Sequence, residues 1–295
     1  MQLKKRIVVL GAKGNIGSAV YKALNQSSER FDVIGTSARI VNEKGMVCFD
    51  PLVDSWSVFG KVDALINCIG IIQEVGKNTF DKLHIGVTKS ILNNRQTIGN
   101  PLIIQVSALG ADTRHATKYL RTKGIADELL LQQDNTFVVR PSIVCFPNTA
   151  ILEKIKMHQN IARKLHSPIL LPKGIKDAQI QPVMISDLVE VIENVAINPP
   201  KEDRIIYAVG LERLNYGELF LMNAGASKKK IVEINQHLCD LLIKGIVARV
   251  FPSFINRDQY ILLFKNNIAD TQGIERILGR EPLSSRPFWQ KNLGK

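Results

Sequence analysis

The first half of the chain alternates short apolar runs with longer segments of helical periodicity. The apolar runs, each of strand length, are Ile7–Leu10, Val33–Thr36, Met46–Phe49, Ala64–Cys68, Leu102–Val106 and Phe137–Val139. Amphipathic patterns typical of helices lie between them at Ile16–Asn25, Phe80–Asn94 and Tyr119–Gln132. Strands that alternate with helices in this way form a parallel sheet covered on both faces. We therefore predict an α/β fold with a Rossmann-type, doubly wound parallel sheet.

Beyond Pro141 the rhythm changes, because further prolines interrupt the chain. Helices are predicted at Ile151–Leu165 and Ile185–Ala196, and another strand at Arg204–Val209. The expected organisation is a dinucleotide-binding domain at residues 1–147, with its sheet completed by residues 182–210. Residues 148–295 supply a smaller, mostly helical lobe on the substrate side, and the last 85 residues look helical but weakly patterned. We expect the cleft between the two parts to hold cofactor and substrate.

A glycine-rich segment follows the first predicted strand. Strand Ile7–Leu10 runs directly into GAKGNIG at 11–17 and then into a helix. The first glycine permits a tight turn, the second lets the backbone approach a pyrophosphate, and the third allows the helix to pack closely on the strand. Backbone N–H groups and the helix N-terminus hold the negative charge. The sequence therefore predicts a dinucleotide-binding loop built on Gly11, Gly14 and Gly17.

The end of the second predicted strand bears on which dinucleotide is bound. In such folds an acid at this place binds the adenosine ribose hydroxyls, whereas an arginine accommodates a 2′-phosphate. Here the stretch contains Ser37 and Arg39, and no acid until Glu43. This pattern favours NADP over NAD, although Arg39 read alone also fits a solvated surface arginine.

A second group of polar residues begins where the fifth strand ends, at Ser107. Twelve residues later come Tyr119 and Lys123, which are four apart and share one helix face. An ammonium beside a phenol lowers the phenol's pKa and can also hold a ribose, so the pattern indicates acid–base chemistry on a carbonyl. Taken alone, Ser107 also fits a cap and Tyr119 an ordinary half-buried aromatic.

These segments together support a family resemblance. The motifs are GAKGNIG at 11–17, NCIG at 67–70, VSALGAD at 106–112, YLRTK at 119–123, VRPS at 139–142, QPV at 181–183, ISDL at 185–188, YGEL at 216–219 and ILGR at 277–280. They resemble the short-chain dehydrogenase/reductase superfamily, and within it the atypical branch similar to the nucleotide-binding accessory subunit of respiratory complex I and its bacterial relatives. The resemblance covers essentially the full length.

The resemblance implies roles for individual residues. Ser107, Tyr119 and Lys123 match the catalytic triad, in which Tyr119 exchanges a proton with the substrate oxygen, Lys123 binds the nicotinamide ribose and Ser107 polarises the carbonyl. Asp50 matches an acid beside the adenine. The implied cofactor-binding set is Gly11, Lys13, Gly14, Asn15, Ile16, Gly17, Ser37, Arg39, Asp50, Cys68, Gly70, Lys123, Pro141 and Ser142.

One departure from the family pattern leaves two functions open. The predicted helix at Phe80–Leu92 places His84 where many relatives have an asparagine that supports the proton relay, although a histidine can form similar hydrogen bonds. The first function is an NADP-dependent oxidoreductase acting on a small carbonyl or hydroxyl compound, or on a related sugar-nucleotide or isoprenoid-like substrate. The alternative is a non-catalytic cofactor-binding assembly or regulatory protein of a respiratory or membrane-associated complex.

Charge adds a question about partners. The chain carries 39 basic and 27 acidic residues, a net charge of +12, which favours anionic partners. There is no nucleic-acid-binding signature to support the charge, so we do not expect nucleic acid. The segment Leu238–Ile255, with Lys244 and Arg249 among apolar residues, fits either an amphipathic helix on anionic lipid or a helix that closes the smaller lobe over the cofactor.

The remaining composition excludes other classes of protein. Cys48, Cys68, Cys145 and Cys239 lie far apart, which predicts neither a zinc site nor a disulfide framework, and no metal site is expected. No apolar stretch approaches the roughly 18 residues that a membrane span requires. We expect a cytoplasmic protein, with a peripheral contact to the inner membrane as the alternative.

Overall fold

The computed structural model describes residues 4–222, 230–235 and 257–293. The chain forms two compact units, each made of segments that are separated in sequence. The first unit comprises Met1–Pro141, Ile185–Ala208 and Asp270–Pro282, and the second comprises Ser142–Met184, Val209–Ala269 and Leu283–Lys295.

The described strands and helices follow one another along both units. The strands are β1 (Lys5–Leu10), β2 (Phe31–Ser37), β3 (Met46–Cys48), β4 (Ala64–Asn67), β5 (Leu102–Val106), β6 (Thr136–Pro141), β7 (Val144–Cys145), β8 (Ile169–Pro172), β9 (Gln179–Ile180), β10 (Val183–Met184), β11 (Ile205–Ala208), β12 (Leu214–Asn215) and β13 (Ile231–Ile234). The helices are α1 (Asn15–Gln26), α2 (Val87–Asn93), α3 (Lys118–Leu131), α4 (Ala150–Lys164), α5 (Ile185–Ile197), α6 (Tyr216–Leu221), α7 (Arg257–Leu262), α8 (Gln272–Leu278) and α9 (Arg286–Leu293).

The first unit is built on a seven-stranded parallel sheet in the order β11-β6-β5-β4-β1-β2-β3. From β1 the chain builds outward through β2 and β3, and then returns to the other side of β1 with β4. Such a reversal opens a crevice at the carboxyl ends of the two central strands, where ligands bind in open α/β sheets. The predicted fold class is confirmed, and the glycine-rich segment lies at this switch point.

The sheet is covered on both faces, which explains why its strands are apolar throughout. Helix α5 packs against both α1 and α8, while α2 packs against α3 in a separate group. Strand residues Ile7–Leu10 have no exposed surface. Side chains of Phe49, Trp56 and Phe59 meet edge to face with ring centroids 4.7–6.0 Å apart. Edge-to-face pairs of this kind contribute about 0.5–1.5 kcal/mol each beyond the burial of their area.

The predicted helix at Phe80–Asn94 differs from the observed segment. A wide π-helical turn occupies Asp81–Gly86 before α2 begins at Val87. The Thr88 hydroxyl donates to the His84 carbonyl at 2.8 Å, so a side chain takes up a backbone acceptor inside the irregular turn. Hydrogen bonds of this type from threonine to the residue four positions earlier bend helices.

The second unit has its own core of buried side chains around Trp289, Ile155 and Leu219. Helix α4 packs on α9 and on α6. The C-terminal portion is not only helical, because Leu214–Asn215 pairs with β9 and Ile231–Ile234 pairs in parallel with β8. Ile231–Ile234, in which three of the four residues are β-branched, pairs with β8 more than fifty residues earlier, so the pairing cannot be read from the local pattern.

Two sequence expectations concern residues outside those that the structure describes. The candidate membrane or lobe-closing segment Leu238–Ile255 and the fourth cysteine, Cys239, both fall in this category. Within residues 4–222, 230–235 and 257–293, no helix combines the length and the apolar character needed to cross a membrane.

Candidate functional site

The glycine loop forms a tight connection between β1 and α1. Gly11 has a φ of +74°, and a β-carbon built on Gly17 would lie 2.2 Å from the Gly11 carbonyl oxygen. The Gly14 amide donates to that same oxygen at 2.9 Å, and the Ala12 amide donates to the Thr36 carbonyl on β2. Because α1 begins at Asn15, its first N–H groups have no acceptor within the helix. They give the loop the character of an anion-binding site.

The segment after β4 lies directly against this loop. A β-carbon on Gly11 would lie 3.1 Å from the Ile69 side chain and 3.3 Å from the Cys68 carbonyl carbon. Gly70 continues the contact, because a β-carbon there would lie 3.0 Å from the Lys123 ammonium nitrogen. The loop after β1, the turn after β4 and Lys123 on α3 therefore form one continuous surface at the carboxyl edge of the sheet.

Lys123 is almost fully buried, with 4% of its surface exposed. Its Nζ donates to the Val106 carbonyl at 2.9 Å, one residue before Ser107. Burial lowers the pKa of Lys123 to about 8, against the opposing influence of Asp127 and Cys68, which raise it. Burial also raises the pKa of the half-buried Cys68 thiol to about 12. At neutral pH this cysteine is therefore an uncharged thiol that lines the site.

Tyr119 lies half-buried against two rings, Phe80 just before the π-helical turn and His84 within it. Its ring centroid is 5.7 Å from that of Phe80 and 5.8 Å from that of His84. Burial, assisted by the charge of Asp127, raises the pKa of Tyr119 to about 12. The expected lowering of this pKa by Lys123 is therefore wrong, because burial and the Asp127 charge both disfavour the phenolate.

His84, at the position expected to carry an asparagine, is fully buried. One ring nitrogen, Nδ1, lies 2.8 Å from the Thr122 hydroxyl oxygen, and the Ile71 amide donates to Nε2 at 3.4 Å. Burial and the charge of Lys123 lower the pKa of His84 to about 2. The ring is therefore neutral and hydrogen-bonded on both sides, so it joins the π-helical turn to α3 and to the turn after β4.

The residues expected to bind the adenosine half lie after β2 and β3. The Arg39 side chain is exposed, and its amide donates to the Ser37 hydroxyl oxygen at 3.1 Å. Lys13 of the glycine loop forms an ion pair with Glu43. Asp50 follows β3, and its Oδ1 accepts from the Leu52 amide at 3.0 Å. These side chains lie at the same edge of the sheet as the glycine loop, which β2 joins through Thr36.

Pro141 and Ser142 fall on opposite sides of the boundary between the units. The Pro141 carbonyl at the end of β6 accepts from the Leu109 amide at 2.8 Å, beside the Ser107 segment. The Ser142 hydroxyl belongs to the second unit and donates to Asn267 Oδ1 at 2.6 Å. The structure thus brings Pro141 to the sheet edge of the first unit and engages Ser142 elsewhere.

Sequence reasoning missed one member of this site, Asp127. It is fully buried on α3, and its Oδ2 accepts from the Ser107 hydroxyl at 2.8 Å and from Arg140 Nε at 2.9 Å. The detectable signal was its spacing, because Asp127 lies four residues after Lys123 on the same helix face. A carboxylate in that position extends the Tyr119–Lys123 row by one turn.

Three comparisons with known proteins place the fold. No protein-family model matches the chain, and no curated protein sequence matches it. Among solved structures, a dTDP-glucose 4,6-dehydratase from Bacillus anthracis in complex with NAD is 15% identical, with a TM-score of 0.66, and the match covers 98% of this chain and 95% of that one.

Two epimerases give similar matches. A UDP-glucuronic acid 4-epimerase from Bacillus cereus, in complex with UDP-glucuronic acid and NAD, is 17% identical with a TM-score of 0.66, covering 98% of this chain and 96% of that one. A nucleoside-diphosphate-sugar epimerase from Staphylococcus aureus is 13% identical with a TM-score of 0.68, covering 97% and 99%. At these identities the likeness establishes the fold alone, a Rossmann-type α/β fold over nearly the whole chain.

Proposed function

We propose that this chain binds a nicotinamide dinucleotide, NADP in preference to NAD, and acts as an oxidoreductase on a small carbonyl or hydroxyl substrate. The observation that carries the proposal is the continuous surface from the Gly11–Gly17 loop through Gly70 to Lys123. Segments from β1, β4 and α3 converge there at the switch point of the sheet, which is where doubly wound folds bind dinucleotides.

The residues of this surface fit the chemical parts of such a cofactor. The N-terminus of α1 suits a pyrophosphate, and the Lys123 ammonium suits a ribose hydroxyl. Asp50 and Pro141 extend the same edge toward the adenine and nicotinamide ends, respectively. When bound, the nicotinamide supplies or accepts a hydride. Tyr119 is then the proton-exchanging group toward the substrate oxygen, and Ser107 fixes that oxygen or the phenol by a hydrogen bond.

The charges after β2 support NADP over NAD. Among the described residues, the Arg39 guanidinium has no ion-pair partner, whereas Glu43, the first acid after β2, is held by Lys13. An unpaired arginine suits a 2′-phosphate, and a carboxylate already in an ion pair is less suited to accept hydrogen bonds from ribose hydroxyls. The solved structures of the dehydratase and the UDP-glucuronic acid 4-epimerase contain NAD, which is the alternative cofactor.

The substrate class extends to sugar nucleotides. The dehydratase and the epimerases with this fold are named for substrates of that kind. A sugar nucleotide presents a hydroxyl that a Tyr–Lys pair can deprotonate as hydride leaves for the cofactor. We therefore include this class with simple carbonyl compounds in any substrate screen.

Fluorescence titration with NADPH and NADH tests the cofactor assignment. Arg39→Ala should weaken NADPH binding by about tenfold or more, the effect of losing roughly 1.4 kcal/mol of a charge-assisted contact, and should leave NADH nearly unchanged. Arg163→Ala, which removes an exposed arginine of α4 in the second unit, is the matched control. Equal weakening of both nucleotides would remove the NADP assignment, and no binding of either by the unmodified protein would overturn the proposal.

A second function, cofactor binding without turnover in an assembly or regulatory protein, is favoured by specific features of the site. The Ser107 proton is committed to Asp127, burial raises the pKa of Tyr119 to about 12, and a neutral histidine stands where the relay asparagine is expected. Each of these features lowers the readiness of the site for proton transfer. The resemblance to a respiratory-complex accessory subunit points to the same function.

Turnover separates the two functions. An oxidoreductase should consume NADPH with at least one member of a panel of carbonyl compounds and sugar nucleotides, and Tyr119→Phe should reduce that rate by at least about 10²-fold. A cofactor-binding assembly protein should instead purify with bound nucleotide and partner proteins. It should show no cofactor oxidation above buffer, and Tyr119→Phe should then change nothing.

A further inference from the structure

The environment of Asp127 is unusual for a carboxylate. The side chain has no exposed surface, and Oδ1 has no hydrogen-bond partner among the described residues. Its Oδ2 accepts from the Ser107 hydroxyl and from Arg140. A buried carboxylate is unfavourable unless cations or donors compensate it. The position of Asp127, one helical turn beyond Lys123 and against Ser107, therefore calls for a role within the site.

The first consequence concerns the direction of hydrogen bonds at Ser107. A serine hydroxyl carries one proton and two lone pairs. Because that proton is donated to Asp127 at 2.8 Å, the oxygen can only accept hydrogen bonds from other groups. Toward a phenol or a substrate hydroxyl, Ser107 is thus an acceptor, and it does not polarise a carbonyl while Asp127 is ionised.

The second consequence concerns the charge of Lys123. The groups whose charges bear on this ammonium are Asp127 on its own helix, Cys68 after β4 and His84 in the π-helical turn. Tyr119 lies one turn earlier on α3, and the Arg140 guanidinium forms an ion pair with Asp127. The thiol, the imidazole and the phenol are neutral near pH 7, because burial raises the pKa of Cys68 and Tyr119 and lowers that of His84. Burial also raises the pKa of Asp127, but Arg140, the Ser107 hydroxyl and Lys123 act in the opposite direction, so Asp127 is the group of this set whose negative charge offsets the ammonium.

We propose that Asp127 is a positioning residue of this site, whose buried carboxylate holds Ser107 as a hydrogen-bond acceptor and keeps the Lys123 ammonium charged. The proposal rests on the proposed cofactor site, since it assigns Asp127 the task of preparing Ser107 and Lys123 for that ligand. It requires no contact between Asp127 and cofactor or substrate.

The test compares Asp127→Asn with Glu128→Gln, which removes one carboxylate charge from the adjacent, exposed position of α3. The measured quantity is the denaturant midpoint of unfolding between pH 6 and 9.5. The pKa of Lys123 is lower in the folded protein than in the unfolded chain, so above about pH 8 the unfolded state binds more protons than the folded state. The free energy of unfolding should therefore rise with pH in that range. Without the Asp127 charge, this rise should begin about one pH unit lower.

Controls separate coupling to Lys123 from a general structural effect. Glu128→Gln should leave the onset of the rise unchanged. In the Lys123→Met background, Asp127→Asn should no longer shift the profile between pH 7 and 9.5. If Asp127→Asn does not fold at pH 7, folding should return at pH 9 or in the double variant with Lys123→Met. Parallel profiles for the two carboxamide variants, or no recovery in either condition, would overturn the proposal.

A second readout joins the positioning role to cofactor binding. At pH 7.5 Asp127→Asn should weaken NADPH binding by about threefold, the loss of protonated Lys123 expected when a pKa of about 8 falls by about one unit, and lowering the pH to 6, where Lys123 regains its proton, should restore most of the affinity. A pH-independent loss would mean that Asp127 only supports the fold. If the unmodified protein binds neither NADPH nor NADH, the proposed function fails, while the unfolding profiles still decide whether Asp127 controls Lys123.

Discussion

Gly17 approaches Gly11 so closely that a β-carbon on Gly17 would lie 2.2 Å from the Gly11 carbonyl oxygen. Gly17→Ala must therefore displace α1 from the loop, with a cost of about 1–3 kcal/mol typical of overpacking. We expect NADPH affinity to fall by at least about tenfold in fluorescence titrations. Gly273→Ala is the control, because a β-carbon at Gly273 meets no atom within 4 Å. A Gly17→Ala protein with unchanged affinity would separate the loop from the cofactor.

Acid should destabilise the protein through His84. The pKa of this buried histidine is lowered from 6.5 to about 2. Below pH 6.5 His84 is therefore protonated in the unfolded chain but stays neutral in the folded protein. Stability from this group is present above pH 6.5 and is lost as pH falls, by up to about 1.4 kcal/mol per pH unit.

The measurement for His84 is the urea midpoint between pH 4 and 7. His84→Asn should flatten the acid side of the profile, since asparagine does not titrate. His166→Asn changes an exposed histidine and should leave the profile as it is. A steep acid limb that survives in His84→Asn would assign the sensitivity to other groups.

Arg140 and Asp127 should be strongly coupled in stability. Their side chains are 14% and 1% exposed, and the ion pair spans 2.9 Å. Arg140→Met leaves a buried carboxylate with less compensation and should destabilise the fold by about 3 kcal/mol. Adding Asp127→Asn should recover part of that loss, so a double-mutant cycle in denaturant should give a coupling energy of about 1 kcal/mol or more. Additive effects would show that the pair is energetically silent.

Most of the sheet was predictable because its signal is local. Each of the six apolar runs of the first half became a strand, and Leu102–Val106 matches to the residue. The glycine spacing likewise predicted the turn into α1, because sterics within seven residues determine that geometry. The π-helical turn of Asp81–Gly86 could not be predicted, because its amphipathic pattern is the same as that of an ordinary helix and tertiary structure decides between the two.

The site was harder to predict, because its chemistry depends on burial. The spacing of Tyr119 and Lys123 placed both residues on α3, but the pKa of Tyr119 follows the loss of hydration and not the sequence separation from Lys123. The role of Asp127 depends on Arg140, thirteen residues away on β6, and on Ser107 at the end of β5. Nothing in the linear pattern shows that these three side chains share one buried hydrogen-bond network.

The order in which the chain is synthesised gives the discontinuity of the first unit a further meaning. Strand β11 pairs with β6, and α8 packs on both β11 and α5. A ribosome will therefore have released the glycine loop, β4 and α3 long before the pieces that close the edge of their sheet emerge. Contacts between such distant parts of the sequence form slowly. Until residues 270–282 are synthesised, the apolar surface that α8 covers stays open on the nascent chain, so this edge of the sheet is the part of the first unit most exposed to non-native association during translation.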